Sequence, residues 1–198
     1  MRIIAGVARG RRLATPKGQK DIRPTPDRVR EAVFSILGED VVGARVLDLF
    51  AGTGAMGLEA LSRGAAWVTF VDHGREALAL INRNAALCGF QSLAVVRADP
   101  TRDLARLKRR GFAPLKEERL YDLVFLDPPY GQGLVAKTLT ELAGAALLAP
   151  MATVVAEHGP ADEKIPPPQT AGPLSRTDSR RYGDVRVTFF YRLFLKNS

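Results

Sequence analysis

The 198-residue sequence predicts an α/β protein with a mostly parallel sheet. Two observations point there. Short apolar runs alternate with stretches of helical spacing, and the first run opens into a glycine-rich turn, where open α/β sheets bind ligands.

The apolar runs at residues 45–50, 67–71, 93–97, 122–126 and 151–156 read as buried strands. Between them, 55–63, 74–87, part of 101–111 and 133–148 read as helices, so successive right-handed crossovers would lay helices on both faces of the sheet. Ahead of the first strand, Val29, Val33, Phe34 and Leu37 recur at helical spacing, and Asp27 can cap that helix. Residues 1–26 hold Gly6, Gly10, Pro16, Gly18, Pro24 and Pro26 among basic side chains, which suggests a short strand or two and turns without a helix. Residues 159–174 read as a loop, and the alternation of Val185, Val187, Phe189 and Tyr191 with Arg186, Thr188, Phe190 and Arg192 as a closing strand. The expected organisation is a basic arm over 1–26 and a single globular domain over 27–198.

Composition narrows the class. A 46% hydrophobic and 25% charged chain is that of an ordinary globular protein, which excludes disorder, collagen and coiled coil as descriptions of the whole. Cys88 is alone and so forms no intrachain disulfide, and with only His73 and His158 beside it no zinc-spaced cluster exists, so no metal is expected. The N-terminus lacks a secretory apolar core and no apolar run approaches ~18 residues, so a cytoplasmic protein without a membrane partner is expected.

The net charge of +8 is unevenly spread: +7 over residues 1–30, +4 over 175–198 and −3 between them. Basic ends flanking a mildly acidic body suit a polyanion, with nucleic acid the leading partner and a solvated basic surface the plainer alternative. Arg9, Arg11, Arg12, Arg23 and Arg28 are the candidate RNA contacts.

In the run Asp48-Leu-Phe-Ala-Gly-Thr-Gly-Ala-Met-Gly57, Gly52, Gly54 and Gly57 form G-x-G-x-x-G. Such glycines permit a tight turn and close approach to a ligand at a helix N-terminus. Alone the pattern is weak, since dehydrogenases and methyltransferases share it. Asp72, about 20 residues after Gly52, can accept from ribose hydroxyls, and Asp99 from an adenine amino group. Either aspartate by itself is more often a cap or turn residue, but together with the glycine loop they describe a nucleoside pocket.

Asp127-Pro128-Pro129-Tyr130 separates the two cofactor readings. Two prolines fix φ and remove two donors, leaving carbonyls and a carboxylate as acceptors beside an aromatic ring. That arrangement suits an exocyclic amine on a planar base, which donates to Asp127 and to the Pro128 carbonyl while Tyr130 stacks on the ring. Hydride transfer has no use for it. Acceptors on the amine protons favour a pyramidal nitrogen and stabilise the charge that grows as it attacks a sulfonium methyl. Any exocyclic amine satisfies such acceptors, so an adenine-N6 methyltransferase acting on RNA or DNA is the alternative.

These residues, with Gly57-Leu-Glu-Ala-Leu-Ser-Arg-Gly-Ala65, Arg23-Pro-Thr-Pro-Asp-Arg-Val-Arg-Glu-Ala32, Arg2-Ile-Ile-Ala-Gly6, Arg9-Gly-Arg-Arg-Leu13 and Arg181-Tyr-Gly-Asp184, resemble the RsmD family of bacterial 16S ribosomal RNA guanine-N2 methyltransferases. The resemblance implies a class I S-adenosylmethionine-dependent fold, Rossmann-like, with a seven-stranded sheet whose last strand runs antiparallel. It also implies methylation of one guanine N2 in 16S rRNA within an assembled or nearly assembled small ribosomal subunit. By position, Asp48, Gly52 and Gly54 would lie along the methionine part of S-adenosyl-L-methionine, Asp72 at the ribose and Asp99 at the adenine. Asp127 to Tyr130 would hold the target base.

Overall fold

In a computed structural model of the chain, residues 1–16, 26–109, 120–164 and 167–193 are described, and they divide into two compact units, Met1–Arg97 and Ala98–Ser198. Arg23, part of the basic arm and the basic stretch beyond residue 109 lie outside the described residues.

The first unit begins with residues 1–16, where Arg2 and Arg12 form an isolated antiparallel bridge. Helix α1 (Asp27–Leu37) buries Val29, Val33, Phe34 and Leu37 and stops at Gly38, whose φ is +52°. Asp27 is its first residue rather than its cap: Pro26 holds the capping position, and the Asp27 carboxylate pairs with Arg30 at 3.0 Å, one turn on. Strands β1 (Arg45–Leu49), β2 (Trp67–Asp72) and β3 (Leu93–Arg97) pair in parallel in the order β3-β2-β1, with Asp48 opposite Phe70. All of β1 is buried, which is why it reads as a continuous apolar run. Helix α2 (Ala55–Ser62) packs on β1 and β2, and α3 (Arg75–Cys88) on β2 and β3.

In the second unit, α4 (Leu104–Arg109) packs on α5 (Leu134–Gly144). Its strands β4 (Tyr121–Leu126), β5 (Leu148–His158), β6 (Thr170–Ala171), β7 (Leu174–Tyr182) and β8 (Val185–Arg192) lie in the order β4-β5-β8-β7-β6. β4 and β5 are parallel, while β8 runs antiparallel to both β5 and β7.

Three expectations shift. The helix over 133–148 ends at Gly144 and β5 starts at Leu148, three residues early, because Ala146 adopts a φ of +51° that no helix continues. The loop over 159–174 contains a 3-10 turn at Pro160–Lys164 and the two-residue strand β6. Finally, the described residues hold eight strands rather than seven, since β6 adds a short edge pairing, Thr170 with Ser175 and Ala171 with Leu174. β7 carries the polar, basic run Leu-Ser-Arg-Thr-Asp-Ser-Arg-Arg-Tyr, so no period-2 apolar signal marks it. Register reveals it: Tyr182 pairs with Val185 across a two-residue turn at Gly183, φ +66°, and Asp184.

Candidate active site

Between β1 and α2 the chain turns through Phe50, Gly52 and Gly54, all at positive φ (+58°, +54° and +78°). Glycine adopts that conformation freely; Phe50 does not, so the turn holds a strained residue of the kind that gathers at functional sites. A Cβ at Gly57 would lie 2.4 Å from Phe70 Cε1 and 2.7 Å from Val68 Cγ1, so this glycine lets α2 lie directly on β2. At Gly52 the nearest atom to such a Cβ would be the Phe50 carbonyl oxygen at 3.9 Å, which leaves the face of the turn open.

Asp48 is 3% exposed, and its Oδ2 accepts the Gly57 N–H at 2.9 Å. A strand carboxylate thereby caps a helix whose own capping residue, Gly54, has no side chain. Burial pushes the Asp48 carboxyl up to about 8; the Gly57 N–H opposes the rise and the Asp72 charge adds to it. Asp72 ends β2 and joins two turns, with Oδ2 on the Gly52 N–H at 2.9 Å and Oδ1 on the Gly74 N–H at 2.8 Å. Asp48, Gly52, Gly54 and Asp72 are thus brought together at one loop.

Asp99 lies two residues past β3, in the second unit. Its Oδ1 accepts from the Thr101 N–H at 2.9 Å and hydroxyl at 2.7 Å, and Arg102 Nε is 3.1 Å from Oδ2. Burial pushes this carboxyl up, but the Thr101 donors, with Arg102 and Lys137, outweigh it and hold the group below the usual carboxylate range. In this position Asp99 shapes its own turn.

Asp127 follows β4 and is half-buried; Pro128 is buried and Pro129 exposed. Tyr130 is 38% exposed and donates its hydroxyl to Glu157 Oε1 at 2.5 Å. Its ring backs onto Gly159, where a Cβ would come within 2.2 Å of Tyr130 Cδ2. One side of the ring is thus fixed while part of it stays open. Burial, then Glu157 and Asp127, pushes the phenol pKa up, so the hydroxyl remains a neutral donor. Asp162, also buried, takes the Gly131 N–H on Oδ1 (2.7 Å) and the Gly159 N–H on Oδ2 (3.1 Å), tying the Asp127–Tyr130 turn to the end of β5.

Glu157 and Asp162 were missed by sequence reasoning. The signal existed for one: Glu157 and His158 break an otherwise apolar strand at its carboxyl end. Glu59 and Asn84 were missed too, and both hold the arm. Glu59 accepts the Ile4 and Ala5 N–H groups at 2.7 and 3.0 Å and pairs with Arg63 at 2.8 Å. Asn84 accepts the Ala14 N–H at 2.7 Å and donates to the carbonyls of Ala14, at 3.1 Å, and Thr53, at 2.9 Å. Of the candidate RNA contacts, Arg9, Arg11, Arg12 and Arg28 are exposed. Arg30, which the charge count includes, is fully buried: it pairs with Asp27 and donates to the Arg2 carbonyl, and burial lowers its pKa.

The family model described as "Conserved hypothetical protein 95" matches residues 1–191. The chain is 37% identical over 157 residues to ribosomal RNA small subunit methyltransferase D of Escherichia coli K12, covering 79% of this chain and 74% of that one. It is 36% identical to YlbH of Bacillus subtilis strain 168, over 96% of this chain and 98% of that one. Among solved structures, the yhhF protein of Escherichia coli superposes with a TM-score of 0.79 at 31% identity, covering 98% of both chains. The fold and its relatives define a methyltransferase of class I architecture. Within that class, the chain belongs to the RsmD family.

Proposed function

We propose that this enzyme transfers the methyl group of S-adenosylmethionine to the exocyclic N2 of a guanine in 16S rRNA, on an assembled or nearly assembled small ribosomal subunit in the cytoplasm. The observation that carries the reading is the Tyr130 ring, fixed by Glu157 and Gly159 with part of it open, beside an Asp-Pro-Pro turn whose two prolines bring no N–H donors. The names of the relatives, small-subunit rRNA methyltransferases, support the RNA and the subunit.

The glycine loop fits the cofactor: Gly52 leaves open space, and Asp72 sits against it with carboxylate oxygens that have acceptor capacity beyond the two N–H groups they take. When bound, the cofactor supplies a methyl group activated on a sulfonium. Asp48, Gly52 and Gly54 would hold its methionine part, Asp72 its ribose and Asp99 its adenine. Asp127 and the Pro128 carbonyl would accept the two amine protons of the base and so orient the nitrogen lone pair. Tyr130 would stack on the base, and Pro129 would keep the turn stiff. Residues 1–26 would serve as an RNA-contacting arm of the methyltransferase domain 27–198, through Arg9, Arg11, Arg12, Arg23 and Arg28.

The test is methylation of small subunits from a strain lacking the gene, using labelled donor and digestion to nucleosides. N2-methylguanosine is expected. N6-methyladenosine would establish the adenine alternative, and absence of label from RNA would overturn both.

A further inference from the structure

A cavity of about 610 Å³ opens in the second unit beside the Asp127–Tyr130 turn, within the size range of sites that hold small molecules. Its lining includes Arg176 and Arg186, the amide of Gln169, and the hydroxyls of Ser179 and Thr188. The register explains the grouping: Arg186 of β8 lies opposite His158 of β5, and Thr188 opposite Ser179 of β7. Within it, His158 Nε2 meets Thr188 Oγ1 at 2.9 Å, and Ser179 Oγ meets the same hydroxyl at 3.0 Å.

The two acidic residues on the lining are already occupied. Asp162 takes the Gly131 and Gly159 N–H groups, and Asp178 takes Arg180 Nε and the Ser179 N–H, each at 2.7 Å. Asp178 is paired with Arg180 and Asp162 is turned onto two backbone N–H groups, whereas Arg176 and Arg186 form no ion pair among the described residues, so these two guanidiniums are the groups on the lining left to meet an anion.

Its position says which anion. Asp162 lines the cavity and also holds Gly131, the residue after Tyr130; His158 follows Glu157, which holds the Tyr130 hydroxyl. A base gripped at Asp127–Tyr130 is turned out of its strand, and the backbone on either side of it must pass close to that turn. We propose that this cavity takes the nucleotide next to the methylated base, with Arg176 and Arg186 on its phosphate and Gln169 and the hydroxyls on its sugar or base edge. The inference rests on the RNA-methylating reading above.

The test compares an Arg176→Gln/Arg186→Gln variant and an Arg176→Lys/Arg186→Lys variant with the wild-type enzyme. The readouts are methylation kinetics on unmethylated small subunits, RNA binding against salt, and S-adenosylmethionine binding. The glutamine pair should raise KM for the subunit about tenfold or more and flatten the salt slope by about one, while cofactor affinity stays at the wild-type value. The lysine pair should keep the salt slope, because it keeps the charge, and recover part of the KM. An unchanged KM and slope in the glutamine pair would overturn the inference and leave guanine methylation standing. A parallel loss of cofactor affinity would also overturn it, since the arginines would then be holding the fold. Failure of the wild-type enzyme to methylate guanine would instead overturn the reading on which the inference rests.

Discussion

Burial gives Asp48 a pH dependence of its own. Its folded pKa, about 8, lies above the ordinary 3.8, so the protonated form is favoured in the folded state. The stability it contributes is fully present below about pH 4 and is lost as pH rises through about 8. Asp48→Asn keeps an acceptor for the Gly57 N–H and removes the titration. Melting temperatures of wild type and variant measured from pH 5 to 9 should therefore diverge, with the wild type falling more steeply. A cationic amino acid moiety bound near Asp48 favours the carboxylate, so cofactor binding at pH 7 should release about one proton, detectable by calorimetry in buffers of different ionisation enthalpy. At the other motif, Asp127→Ala should lower turnover about a hundredfold or more with cofactor affinity nearly unchanged. Tyr130→Phe keeps the ring and loses the bond to Glu157, whereas Tyr130→Ala loses the ring itself. If stacking is the role, the alanine variant should bind RNA more weakly than the phenylalanine variant by about 1–3 kcal/mol in a direct affinity measurement.

The junction of α2 with β2 depends on one missing side chain. Gly57→Ala would press a methyl into Phe70 and Val68, an overpacking of about 1–3 kcal/mol that thermal denaturation should detect, and Phe70→Leu in the same chain should recover part of it. The turn before this junction was legible in the sequence because the glycine pattern follows directly on the buried β1 run, whereas the approach of Gly57 to Phe70 and Val68 leaves no sequence signal. The β4 turn was equally plain, since Asp-Pro-Pro-Tyr states its acceptors outright. What escaped were groups whose role comes from distant pairing. Glu157 and Asp162 matter because β5 ends where the Tyr130 turn begins, and β7 exists because β8 supplies its hydrogen bonds. Neither relation leaves a periodicity. The Asp27 cap failed for a local reason: Pro26 already occupied the position, and the carboxylate turned to Arg30.

Across the whole chain, the +8 charge divides into cations with different tasks. Arg30 is interior, pairs with Asp27 within α1 and ties that helix to the Arg2 carbonyl, while Arg9, Arg11 and Arg12 stand exposed on the arm. Charge reversal at those three should weaken RNA binding and flatten its salt dependence by up to about three, with cofactor affinity unchanged; an unaltered slope would remove them from the interface. The described residues of the arm, 1–16, are held to the body, for Glu59 and Ser62 grip Ile4, Ala5 and Ala8, and Asn84 grips Ala14. The same Asn84 amide nitrogen that reaches Ala14 also reaches Thr53, between the two glycines of the loop. One side chain is thus a shared hinge pin: a displacement of the arm at Ala14 or of the loop at Thr53 loads the same three hydrogen bonds.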